Sequence, residues 1–143
     1  MTPETPASCS IVLESRPSAL EGICQQILTE LKAFSFSEDD VFGVHLALEE
    51  AFLNAVKHGN KMDPTKTIKI EYTIDRGKVE IAITDEGDGF DPSNIPDPRV
   101  GDNLFRPEGR GLLLIGAYMD VMEYNDSGNC VFMAKYKRKP TNN

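Results

Sequence analysis

Residues 67–83 place the tightest constraint on what this chain can fold into. Ile68, Ile70, Tyr72 and Ile74 alternate strictly with Lys69, Glu71 and Thr73. After Asp75-Arg76-Gly77-Lys78 the alternation resumes with Val79, Ile81 and Ile83. A period of two puts every apolar side chain on one face of a strand, and a short polar turn containing Gly joins two such strands into an antiparallel hairpin. A lone hairpin with one apolar face is barely stable in water, so it needs further strands beside it and helices across that face.

The rest of the chain offers both. Ser10-Ile11-Val12-Leu13 reads as a short strand. Pro17 with Ser18-x-x-Glu21 reads as a capping-box helix start, and Leu20, Ile23, Cys24, Ile27, Leu28 and Leu31 follow at three-and-four spacing on one helical face. Ser37, with Asp39 and Asp40 behind it, opens a longer and unusually apolar helix over residues 41–56, closed by Lys57, His58 and Gly59. A third helix is predicted over 112–119, after Gly109-Arg110-Gly111. Strands are predicted at 121–124 and 131–136 around Asp126-Ser127-Gly128-Asn129. Between the hairpin and that third helix, residues 85–108 are broken by Gly87, Gly89, Pro92, Pro96, Pro98, Gly101 and Pro107, which marks a functional lid or a disordered segment. Residues 1–7 are predicted to be a flexible N-terminus, 8–136 one domain and 137–143 a polar tail.

At 143 residues the chain is about one domain's worth, which leaves no room for a second folded unit of ordinary size. Fifteen Lys and Arg against 23 Asp and Glu give a formal charge of -8, which argues against a binder of nucleic-acid backbones. Cys9, Cys24 and Cys130 are odd in number and lack a Cys-x-x-Cys pair, so neither a disulfide framework nor a zinc site is indicated. No basic-then-apolar leader opens the chain and no apolar run reaches the ~18 residues of a membrane span. A cytoplasmic location with no membrane partner is expected.

Three places carry chemistry. Glu50 and Asn54 lie four residues apart on the long helix, with Lys57 and His58 one turn further. An isolated Glu-x-x-x-Asn is more often a solvent-facing stripe than a site, so spacing alone decides nothing. Asp85-Glu86-Gly87-Asp88-Gly89 ends a strand, where a carboxylate can accept from an exocyclic amine and glycines leave room for a flat ring; an acidic turn reads the same way. Gly109-Arg110-Gly111 opens a helix, where free N–H groups and the helix dipole favour an anion, although a hinge would look alike.

The order of the three is more specific than any one of them. Together they resemble the N, G1 and G2 boxes of the GHKL, or Bergerat-fold, ATPases. Glu49-Glu50-Ala51-Phe52-Leu53-Asn54-Ala55-Val56-Lys57-His58-Gly59-Asn60, Asp85-Glu86-Gly87-Asp88-Gly89-Phe90-Asp91-Pro92 and Gly109-Arg110-Gly111-Leu112 are most similar to the anti-sigma-factor serine kinases. The likeness covers residues 8–136. It implies an α/β two-layer sandwich, with a mixed, mostly antiparallel sheet covered by helices on one face.

By the same resemblance, Glu50 is the catalytic carboxylate that takes the proton of an attacking hydroxyl. Asn54 holds Mg²⁺ through its amide oxygen, and Asp85 accepts from the adenine amino group of ATP. Gly87, Gly89, Gly109 and Gly111 shape the nucleotide pocket, beside Lys57 and His58. Arg106 and Arg110 are candidates for charge stabilisation near the γ-phosphate. One departure stands out: where many members place Thr near adenine, this chain has Cys130 and Val131.

The resemblance also implies the partners. The separate phospho-acceptor or effector domains of other GHKL proteins do not fit in this length, so the phosphoryl acceptor is expected to be another protein. In the anti-sigma kinases that is a serine on a STAS-domain antagonist, with a sigma factor as the second partner and a homodimer as the assembly. A nucleotide-gated binding module without phosphoryl transfer, and a partner-switching kinase not acting on a sigma factor, remain alternatives with the same three boxes.

Overall fold

The computed structural model describes residues 3–87 and 116–137. Five strands, β1 (Ala7–Glu14), β2 (Thr67–Ile74), β3 (Lys78–Asp85), β4 (Val121–Tyr124) and β5 (Cys130–Tyr136), form one sheet in the order β1-β2-β3-β5-β4. Every ladder among the described residues is antiparallel. The helices α1 (Glu21–Ala33) and α2 (Glu38–Asn54) lie on one face. A two-layer sandwich with a mostly antiparallel sheet is therefore what the chain forms.

The hairpin's period of two sets the register. Leu13, Ile68 and Asp85 fall in one cross-strand row; Ile11, Ile70, Ile83, Val131 and Tyr124 form the next, and Cys9, Tyr72, Ile81, Met133 and Met122 the one after. Ile68, Ile70, Ile81 and Met133 are fully buried. Each such side chain contributes roughly 1.5–3 kcal/mol relative to exposure. The other face carries Lys69 and Glu71, which are exposed.

Local signals hold unevenly. The Ser37 hydroxyl accepts the Asp40 N–H at 3.0 Å, so the predicted cap of α2 is present. The Ser18 capping box is not. Pro17–Leu20 forms a 3-10 turn with no side-chain cap, and α1 begins only at Glu21. The α1 face with Ile23, Ile27 and Leu31 covers the sheet, and Gln26 Nε2 donates at 2.7 Å to the Tyr72 hydroxyl, which donates in turn to Glu30. Of the helix predicted over 112–119, residues 116–118 are described and helical. Residues 88–108 of the predicted lid lie outside the described residues.

A buried ion pair joins this last segment to the core. Lys135, 5% exposed, reaches Asp40, 2% exposed, at 3.8 Å and donates to the Tyr118 carbonyl at 2.6 Å. The Tyr118 ring stacks edge-on against Phe42, 6.2 Å between centroids. It also fills the space a Cβ at Gly43 would need, with its Cδ1 at 3.2 Å.

Candidate functional site

The regular helix α2 stops at Asn54, and Ala55–Gly59 continues as a single π turn closed by the Asn60 N–H donating to the Ala55 carbonyl at 2.8 Å. The polar stripe predicted from α-helical spacing thus ends at Asn54. Glu50 and Asn54 are half-buried one turn apart, while Lys57 and His58 sit exposed on the wider turn. Among the described residues neither the Glu50 carboxylate nor the Asn54 amide is engaged in a side-chain hydrogen bond. Glu49 points elsewhere: it pairs with His45 at 2.8 Å and lines a cavity of about 610 Å³ with Leu20, Cys24, Phe52 and Leu53, between the start of α1 and α2. Burial, and secondarily the Glu49 charge, push the Cys24 thiol there up to about 11.

The end of the π turn is seated directly on the end of β3. A Cβ built at Gly59 would lie 2.1 Å from Asp85 Oδ2, and one at Gly87 would lie 1.8 Å from the Gly59 carbonyl oxygen. Only hydrogen fits at both positions. This contact brings the helix of Glu50 and Asn54 against the Asp85 loop, which are 31 residues apart from Asn54 to Asp85.

Asp85 sits on the helix-facing side because the alternation through Ile81 and Ile83 carries it there. Its N–H donates to the Asn129 carbonyl at 2.9 Å, and its Oδ1 accepts the Gly87 N–H at 2.8 Å. Burial holds this carboxyl above its ordinary range; the Gly87 N–H and the Lys66 charge pull the other way. A half-buried carboxylate at the end of a strand can accept from an exocyclic amine.

Sequence reasoning assigned no role to Asn60. Its side chain is fully buried and ties together the residue after β1, the start of β2 and the residue after β3. Nδ2 donates to Ser15 Oγ and to the Thr67 carbonyl, both at 3.0 Å, and Oδ1 accepts the Glu86 N–H at 2.8 Å. Glu86 is held a second time, its carboxylate accepting from the backbone and the hydroxyl of Thr67. Lys61 and Met62, just beyond, both take left-handed backbone with φ of 52° and 63°. Such residues cost of order 1–3 kcal/mol each and persist only where surrounding bonds impose them. No local pattern marks Asn60, since its partners Ser15 and Glu86 are 45 and 26 residues away.

Two further points concern the sheet end. Val131 shares the inward face with Ile83, while Cys130 lies opposite Thr84 on the other face. Tyr124, half-buried and packed against the core, lies in the row next to Asp85. Gly89, Arg106, Gly109, Arg110 and Gly111 lie outside the described residues.

A sequence profile of the histidine kinase-like ATPase domain matches residues 13–135. The chain belongs to that family. It is 33% identical over 111 residues to the serine-protein kinase RsbW of Bacillus licheniformis, covering 71% of this chain and 68% of that one. It is 36% identical over 108 residues to RsbW of a Listeria monocytogenes serotype 4a strain and 38% over 109 to RsbW of a Staphylococcus aureus strain, each time covering 71% of this chain and 69% of the relative. The fold is similar to that in the crystal structure of the RsbU and RsbW domains of Rv1364c from Mycobacterium tuberculosis, with a TM-score of 0.63 and 18% identity. That match covers 94% of this chain but only 33% of the longer protein. The resemblance drawn from the order of the three boxes thus identified the family.

The residues present fit the groups the family implies. Gly59 lets the Asp85 carboxylate approach the π turn without a side chain in the way, and a half-buried carboxylate has the acceptor chemistry an adenine amine needs. No cluster of three or more His, Cys, Asp or Glu among the described residues could hold a metal by itself. A single amide oxygen, as at Asn54, suits a cation held mostly by phosphates and water.

Proposed function

We propose that this protein is an ATP-dependent serine protein kinase that phosphorylates a STAS-domain anti-sigma-factor antagonist and binds a sigma factor, working in the cytoplasm as a homodimer. The observation that carries the reading is the seating of the π turn on the Asp85 loop through Gly59 and Gly87. It joins the turn that follows the Glu50 and Asn54 face of α2 to the half-buried acceptor Asp85, which supports the reading. The relatives named as serine-protein kinases support the same activity. Among the described residues no helix is long and apolar enough to cross a membrane.

In this reading ATP supplies the phosphoryl group and Mg²⁺ offsets its charge. Asp85 accepts from the adenine amine, and the Asn54 amide oxygen holds the cation. Glu50, one turn before Asn54, takes the proton from the acceptor serine hydroxyl. Lys57 and His58 are exposed beside it; Gly87, Gly89, Gly109 and Gly111 shape the nucleotide pocket, and Arg106 and Arg110 are the candidates for charge stabilisation near the γ-phosphate.

Transfer of radiolabelled phosphate from ATP to purified STAS proteins tests this. Glu50→Gln should keep ATP binding and lose roughly 10²–10⁴-fold in single-turnover rate, while Glu49→Gln, turned into the α1–α2 cavity, should change it little. Wild-type transfer by Glu50→Gln would remove the base assignment. Absence of transfer by the wild type to every STAS protein, with ATP binding intact, would favour the nucleotide-gated binding module. Pull-down of sigma factors then tests the second partner.

A further inference from the structure

The two edges of the sheet are not alike. β4 ends it on one side with 4 residues and β1 on the other with 8, and among the described residues no strand lies beyond either. Proteins that keep an edge strand solitary blunt it by shortness, a bulge, Pro or Lys. Shortness protects β4. Ala7–Glu14 has none of these devices: it reads ASCSIVLE and pairs with β2 in an unbroken register.

The ladder fixes which backbone groups of β1 face outward. Just past the strand, the Ser15 N–H donates to the Lys66 carbonyl at 3.1 Å in the same register, so Ser15 and Lys66 form a hydrogen-bonded pair. Antiparallel ladders alternate, so Leu13, Ile11, Cys9 and Ala7 also bond to β2, while Ser8, Ser10, Val12 and Glu14 turn their N–H and C=O groups to the open edge. The Glu14 carbonyl is already taken, since it accepts the Arg16 N–H at 2.9 Å. The side chains of this edge are short of cover as well. Ala7, Cys9, Ile11 and Leu13 point to the core but are only half-buried, and Val12 on the opposite face is 60% exposed.

We propose that this edge is the homodimer surface: β1 pairs antiparallel with β1 of a second copy about a two-fold axis at Ser10, joining two five-stranded sheets into one. This deepens the homodimer reading given above and rests on it. Ser10 then faces its own counterpart and Ser8 faces Val12, each pair exchanging both backbone hydrogen bonds. In that register the second copy's Ile11 lies opposite Cys9 and its Leu13 opposite Ala7, so the half-exposed inward row gains apolar neighbours across the axis. A register centred on Ile11 would instead call on the Glu14 carbonyl, which Arg16 occupies. Glu14, the one charged residue of the strand, stays outside the paired stretch.

Sedimentation of the full chain tests this. The wild type should run at twice the 15.8 kDa of one chain. Ser10→Pro removes an N–H that points away from β2, so it keeps the β1–β2 ladder and should raise the dimer dissociation constant by ~10-fold or more. Ser10→Lys sets two ammonium groups opposite each other on the axis; it should weaken the dimer likewise, and it decides the matter if the proline variant does not fold. Circular dichroism checks that each variant is folded. A folded variant of either kind that dimerises as tightly as the wild type overturns the β1 surface and leaves the homodimer standing. A wild type that stays monomeric at ~100 μM, a weaker association than a stable dimer shows, removes the homodimer reading and the surface with it.

Discussion

The side-chain oxygen of Asn60 accepts the backbone N–H of Glu86 at 2.8 Å, and the same amide donates to Ser15 and to the Thr67 carbonyl. One buried side chain therefore links the exit of the π turn to the residue after β1, to the start of β2 and to Glu86, which follows Asp85 at the end of β3. The position of that loop relative to Glu50 and Asn54 depends on a residue with no chemistry of its own.

Asn60→Ala should destabilise the fold and loosen the site together. Each buried group left unpaired costs roughly 1–3 kcal/mol, and the Thr67 carbonyl and Glu86 N–H both lose a partner. Urea unfolding should show a lower midpoint at an unchanged slope, and ADP affinity should fall in variant that is still folded. Wild-type ADP affinity in Asn60→Ala would separate the tether from the site.

Gly59→Ala and Gly87→Ala should fail differently. The new methyl at 59 meets the Asp85 carboxylate, a side chain that can swing away, so the expected loss is in nucleotide binding with modest loss of stability. At 87 it meets the Gly59 backbone carbonyl, which has nowhere to go, so the junction itself must open. Thermal melts and ADP titrations of the two variants, run side by side, check the contrast.

The raised Asp85 carboxyl predicts a trade between stability and binding. Its contribution to stability is fully present below the unfolded value of about 3.8 and is lost as pH rises through the higher folded value. Asp85→Asn, whose amide oxygen can still accept the Gly87 N–H, should therefore melt above the wild type at pH 7 and level with it near pH 3. The same variant should bind ADP more weakly at pH 7, by ~1–3 kcal/mol for a buried amine that loses its acceptor. A variant no more stable than the wild type at pH 7 would count against burial as the dominant cause.

Asp40→Ala should be costly in proportion to the burial of Lys135. Removing one member of a buried pair leaves an uncompensated charge, typically a loss of 3–5 kcal/mol, here softened by the bond from Lys135 to the Tyr118 carbonyl. Replacing both, as Asp40→Leu with Lys135→Met, should recover most of the loss, and a double-mutant cycle on urea midpoints measures the coupling.

The elements themselves were readable from local sequence. The hairpin declares itself by its period, β2 spans Thr67–Ile74 as predicted, and the Ser37 cap lies where its acidic followers place it. Pro17 and Ser18 misled, because the chain spends Pro17–Leu20 in a tighter 3-10 turn that needs no side-chain cap. The stripe of Glu50, Asn54, Lys57 and His58 assumed 3.6 residues per turn throughout. The i to i−5 bond from Asn60 to Ala55 changes that winding after Asn54, for the benefit of a contact with Gly87.

The sequence by itself determined the family, the apolar face of the sheet and the inward direction of Asp85, because period and motif order are local properties of a chain. Tertiary structure alone decided which strand lies beside which, that the glycine at the end of the π turn rests on Asp85, and that Asn60 binds the backbone of Glu86. Those relationships join residues tens of positions apart. They are selected by close packing and by the need of every buried polar group for a partner, requirements that exist only once the layers have come together.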